Sequence, residues 1–165
     1  QWFAYQHFGV TPDVITLAKA ICGGIAGGAL LTTPEIAPSL RPGMHAATFG
    51  GNPIAARAGI AVMEMIEEQG LLARAGQLEK LFQSRFTELQ ERCQIVEEVR
   101  VLGLMIGVQL MVDATPVVDA CMKRGVLVNC TQGNVVRLLP ALTLSQEDAE
   151  RGAEVISEVI MELSG

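Results

Sequence analysis

The sequence predicts an α/β chain in two parts, and three observations carry that expectation. A β-branched run at Val14, Ile15 and Thr16 is followed by glycine clusters, which suits a strand feeding tight turns. Residues 53–92 then place apolar side chains at three- and four-residue steps, the helical period. Beyond them, short β-branched runs alternate with turn residues ahead of a capped last helix, the pattern of a small α+β domain. The boundary is expected at the end of the first long helix, giving residues 1–68 and 69–165. The first part is too short to cover both faces of a parallel sheet, so it reads as the tail of a larger α/β domain.

Taken in order, residues 1–10 hold Trp2, Phe3, Tyr5 and Phe8, an aromatic cluster suited to packing against another surface. His7 among them reads as a satisfied structural histidine. Pro12 introduces a short buried strand over residues 13–17, and a second strand is expected at Ala29–Thr32. Residues 34–40 form a short helix candidate, broken by Arg41-Pro-Gly43. Asn52 and Pro53 are N-cap and first-turn residues for a helix ending before Gly70, and Leu71–Arg92 is the next helix. Strands over residues 95–101 and 104–112 meet at Gly103 in a hairpin or bulged bend. A helix over residues 116–124, strands over 126–129 and 135–139, and a helix opened by Ser145-Gln-Glu-Asp148 complete the chain.

Half of the 165 residues are hydrophobic and 18% are charged, so a sizeable core is expected and disorder is not. A net charge of −6 without any basic stripe argues against nucleic acid. No apolar run is long enough to span a bilayer, and no leader segment is evident. The chain begins at Gln1, so an upstream segment is expected to be missing. Cys22, Cys93, Cys121 and Cys130 are scattered without metal-ligand spacing, which reads as free thiols in a reducing cytosol and no metal site.

Lys19 stands two residues beyond the first strand, and Gly23 and Gly24 follow four and five residues later. A lysine buried there would favour the neutral amine, the form that attacks a carbonyl to make a Schiff base. The competing reading is a surface lysine at a strand end. Thr48, Gly50 and Gly51 lead into the helix at Pro53, and a helix start with glycines and a hydroxyl suits a phosphate. Together, a Schiff-base lysine and a phosphate cradle suggest pyridoxal phosphate. Arg137 lies between Val135-Val136 and Leu138-Leu139, and its planar fork suits a carboxylate. A solvent-facing strand arginine is the alternative there.

The words Phe3-Ala-Tyr-Gln-His7, Thr16-Leu-Ala-Lys19, Thr48-Phe-Gly-Gly-Asn-Pro53, Gly103-Leu-Met-Ile-Gly107 and Asn129-Cys-Thr-Gln-Gly-Asn134-Val-Val-Arg137 occur in that order. On them, the chain resembles the class III, fold-type I aminotransferases, and within these the acetylornithine/ornithine group. It resembles their later, C-terminal part only. The resemblance implies the tail of a large domain that binds pyridoxal 5'-phosphate, followed by a small α+β C-terminal domain. It implies that Lys19 is the catalytic, cofactor-holding lysine and that Thr48 binds the cofactor phosphate of a neighbouring subunit, hence a homodimer. Arg137 would bind the substrate α-carboxylate, with Asn129 and Thr131 either lining that pocket or serving as turn residues.

The activity implied is transfer of an amino group between N-acetylornithine, or a related ω-amino substrate, and 2-oxoglutarate in cytoplasmic arginine biosynthesis. The glycine-rich phosphate loop, the ring clamp and the pyridinium aspartate of the family all belong upstream, so these residues alone are expected to be inactive. Asp13 is not assigned the aspartate's role. Where relatives commonly carry Pro-Ile, this chain has Ala26-Gly27. A non-catalytic remnant with the same fold, or another class III reaction such as an aminomutase, decarboxylase or racemase, remain the alternatives. The sequence does not select among acetylornithine, ornithine and succinyl-diaminopimelate.

Overall fold

The computed structural model describes residues 1–165, which divide into two compact units, Gln1–Leu72 and Ala73–Gly165. In the first unit, β1 (Val14–Leu17) pairs antiparallel with β2 (Ala29–Thr32), Val14 facing Thr32 and Leu17 facing Ala29. A 3-10 turn at Lys19–Cys22 and the glycine turns connect them. Helix α1 spans Pro53–Glu68, and Asn52 caps it by accepting the Ile54 N–H at 2.9 Å.

Three expectations for this unit need correction. The strand over residues 13–17 is not buried: Val14 is 45% exposed, and Leu30 and Leu31 of β2 are exposed too. Two strands and one long helix supply no second layer to cover the ribbon's outer face. The helix over residues 34–40 shortens to a single 3-10 turn at Ala37–Ser39, because Pro38 removes a donor that a longer helix requires. His7 is exposed and its imidazole makes no hydrogen bond, so it is not a satisfied interior histidine.

The second unit takes in all but the first two residues of α2 (Leu71–Arg92). β3 (Val96–Leu102) and β4 (Met105–Leu110) form the hairpin around Gly103, whose φ of 58° suits glycine. Helix α3 (Thr115–Lys123) follows, with the Asp113 carboxylate accepting both the Thr115 N–H and hydroxyl. Those two hydrogen bonds, the backbone one foremost, hold the Asp113 carboxyl below the usual carboxylate range. β5 (Asn129–Thr131) and β6 (Val135–Leu138) come next, then α4 (Gln146–Ser164), where Ser145 accepts the Asp148 N–H at 2.9 Å.

All pairings are antiparallel, in the order β3-β4-β6-β5. The strand expected over residues 126–129 starts only at Asn129. Its partner β6 is four residues long and stops before Pro140, which has no N–H to extend the ladder. One sheet face carries Ile106, Val108 and Val136 into a core shared with Phe86 of α2, Val117 of α3 and Ile156 of α4. Arg74 of α2 donates from Nε and Nη2 to the Leu144 carbonyl at 2.9 and 2.7 Å, fixing the connection between β6 and α4. All four cysteines are unpaired, and no helix is long and apolar enough to cross a membrane.

Candidate active-site residues

Lys19 follows β1 with φ at 59°, in the left-handed region that costs a non-glycine residue roughly 1–2 kcal/mol. Such backbone strain concentrates at functional positions, although Gln132 adopts a similar φ in the turn before β6. The lysine is exposed, so the amine is reachable but not desolvated by the residues of this chain. What fixes its backbone is the packing behind it. Cys22 is buried, and a Cβ added to Gly59 of α1 would lie 3.6 Å from its sulfur. A Cβ on Gly23 would meet Val62 Cγ2 at 3.0 Å, so the turn lies directly on α1.

The same geometry settles the shape of the loop at Ala26-Gly27. A Cβ on Gly27 would stand only 2.5 Å from the Cys22 sulfur. A branched residue at this position therefore cannot coexist with Cys22 in its present place; the thiol fills the volume that a side chain at position 27 would need. Gly27→Ala is expected to cost about 1–3 kcal/mol by overpacking. Adding Cys22→Ala should recover most of that loss, and urea denaturation of the single and double variants reads both effects.

Thr48 lies exposed in the turn that leads to α1. The start of the helix is more self-sufficient than the sequence suggests. Asn52 takes the Ile54 N–H with its side chain and the Ala56 N–H with its carbonyl, while the Gly50 N–H bonds to Ala47. Donors left for an anion include the Thr48 hydroxyl, the Gly51 N–H, with Gly51 at φ 73°, and the Ala55 N–H of the first helical turn. Lys19 and Thr48 share the first unit without any hydrogen bond between them.

Arg137 belongs to the second unit. It sits on β6 between the buried Val136 and Leu138, so strand alternation turns it to the face opposite the core. It is exposed and takes part in none of the ion pairs, leaving both edges of the fork open to a carboxylate. Asn129 is its register partner on β5, and Thr131 lies two residues further along the same strand. A cleft of about 510 Å³ lined by Arg85, Glu88, Arg92 and Glu158 contains none of these residues.

Sequence reasoning missed the neighbours of Arg137 in the sheet. Gly107 of β4 lies opposite it, and Arg100 of β3 lies opposite Gly107. Counting outward from a tight hairpin at Gly103 would have paired Arg100 with Gly107.

The family model "Aminotransferase class-III" matches residues 1–160, and the chain belongs to that family of pyridoxal-phosphate-dependent enzymes. Among curated proteins, it is 40% identical over 161 residues to an acetylornithine aminotransferase of Methanothermobacter thermautotrophicus, covering 98% of this chain and 41% of that protein. It is also 40% identical over 173 residues to a leucine/methionine racemase of Thermococcus litoralis, covering 99% of this chain and 39% of that protein. Among solved structures, an acetylornithine aminotransferase from Elizabethkingia anophelis superposes with a TM-score of 0.89 at 31% identity, covering 98% of this chain and 44% of the other. The chain thus spans about two fifths of the length of these relatives. Its own residues fit the cofactor as far as they go, with a reachable amine at Lys19 and open phosphate donors at Thr48 and Gly51.

Proposed function

We propose that the protein carrying this chain is an aminotransferase that moves an amino group between N-acetylornithine, or a related ω-amino substrate, and 2-oxoglutarate, in arginine biosynthesis in the cytoplasm. The observation that carries this reading is Lys19, exposed on a strained backbone at the end of β1 within a chain of the class III family. Pyridoxal phosphate, when bound, supplies the electron sink for the reacting carbon. Lys19 would hold it through Nζ, and the same nitrogen, when free, would carry the proton from the substrate Cα. Thr48 binds the phosphate of a neighbouring subunit, so the working enzyme is a homodimer. Arg137 grips the substrate α-carboxylate through its fork. Residues 1–68 are the tail of the cofactor-binding large domain, and residues 69–165 are the small C-terminal domain.

The direct test is transamination of acetylornithine with 2-oxoglutarate by the full-length protein at saturating cofactor. No turnover with acetylornithine, ornithine or succinyl-diaminopimelate would reject the reading. Residues 1–165 alone should not turn over, for they span only two fifths of the relatives' length. The 40% identity to the leucine/methionine racemase favours racemisation as the second reading. Loss of optical rotation from one amino acid without any oxo-acid acceptor would select it.

Arg137→Lys in the full-length enzyme should weaken use of the amino acid and of 2-oxoglutarate together, because both present an α-carboxylate. Replacing a bidentate fork with a point charge should cost on the order of 2–4 kcal/mol in kcat/KM, with cofactor occupancy unchanged. Unaltered kinetics for both substrates would reduce Arg137 to a surface strand residue.

A further inference from the structure

The register sets Arg100, Gly107, Arg137 and Asn129 side by side across β3, β4, β6 and β5. Directly paired residues of antiparallel strands point to one face, here the face away from the core. Two guanidinium-bearing residues therefore share a row, two strand spacings or roughly 10 Å apart at the backbone, with a glycine between them.

Their surroundings differ. Arg100 Nη1 pairs with Glu98 and donates to Gln109 Oε1 at 2.8 Å. Gln109 Nε2 in turn donates to Glu97 Oε2 at 2.7 Å. A Cβ on Gly107 would lie 3.9 Å from Arg100 Nη2 and 3.4 Å from Val135 Cγ1, so the Arg100 fork lies over the glycine. Arg137 has no such partners. Glu97 and Glu98 are the only carboxylates in the four strands of this sheet, and both are held within the Arg100–Gln109 network.

We propose that Arg100 is a positioning residue for Arg137: by holding Glu98, and Glu97 through Gln109, it keeps the sheet's own carboxylates from occupying the Arg137 fork. Gly107 makes this possible, because a larger side chain there would push Arg100 off the row. Without Arg100, Glu98 is released on the same face as Arg137 and competes with a substrate carboxylate for it. The effect falls on substrate affinity rather than on the chemical step. This inference rests on the proposed role of Arg137 as the carboxylate fork.

The test uses the full-length holoenzyme. Arg100→Gln should raise KM for both the amino donor and the oxo acid by about three- to tenfold, with kcat within about twofold of the parent. Adding Glu98→Gln removes the competitor and should return both KM values to within about twofold of the parent. A residue that merely braced the sheet would give no such rescue. An unchanged KM in Arg100→Gln, or a raised KM that Glu98→Gln does not restore, overturns the proposal. If the single variant does not fold, the double variant decides, since a raised KM there has the same consequence. Arg137→Lys separates the two levels. If it leaves KM unchanged, the carboxylate role itself fails; if it raises KM while Arg100→Gln does not, only this inference falls.

Discussion

Borohydride reduction of the full-length protein with pyridoxal phosphate is expected to leave the pyridoxyl group on Lys19 and on no other lysine. Lys19→Ala should then lower transamination by about a hundred- to ten-thousandfold, the range associated with losing a positioned proton carrier. The expectation follows from the strained, exposed backbone of Lys19 and from the turn that Cys22, Gly23 and Gly59 lock against α1. Peptide mapping after reduction is the measurement. An adduct on Lys80 or Lys123 would overturn the assignment, whatever the variant's activity. Both belong to other elements, Lys80 lying within α2 and Lys123 at the end of α3.

The second large effect concerns the core of the second unit. Phe86 is fully buried, stacked on Phe82 with ring centroids 6.0 Å apart, and packed among residues of the sheet and of α4. Phe86→Ala should cost about 3–5 kcal/mol, the sum of lost transfer energy and the cavity left behind. That is a large share of the stability of an ordinary domain. Phe49→Ala, at a ring that is 81% exposed, should change stability by no more than about 0.5 kcal/mol. Urea denaturation followed by helical circular dichroism distinguishes the two. A shift of equal size in both variants would mean that Phe86 does not sit where the packing puts it.

Much of this architecture was readable from local chemistry. Asn52-Pro53 and Ser145-Gln-Glu-Asp148 start their helices where the sequence says they do, because a cap is a short-range hydrogen bond. Gly103 turned the β3–β4 hairpin as expected, since a positive φ is a property of one residue. The errors came from features that depend on partners distant in the chain. Burial of β1 was inferred from its β-branched residues, but only a covering layer buries a strand, and none of the first unit's elements provides one. β5 starts only at Asn129, opposite Arg137 of β6, although Val126 and Val128 precede it. Among the candidate site residues, Lys19, Thr48 and Arg137 could be singled out by residue type and by their place beside a strand, a helix start and within a strand. The left-handed backbone at Lys19, the contact between Cys22 and Gly27, and the Arg100–Gly107–Arg137 row could not, because each needs three-dimensional neighbours.

The place of β6 inside its sheet has a mechanical consequence. Arg137 stands on an interior strand, bonded to β4 on one side and β5 on the other, above a filled core. Its amide should exchange with deuterium only on large-scale opening of the unit, and its Cα is correspondingly stiff. Lys19 follows a two-stranded ribbon of four residues a side, whose hydrogen bonds break by simple fraying. Arg137 is thus mounted on a stiff interior strand, and Lys19 on a turn that is held where it packs on α1. In the proposed function, a fork that holds a carboxylate would benefit from the first. The Lys19 amine, in the same reading, would rely on the reach of its own side chain rather than on movement of its backbone.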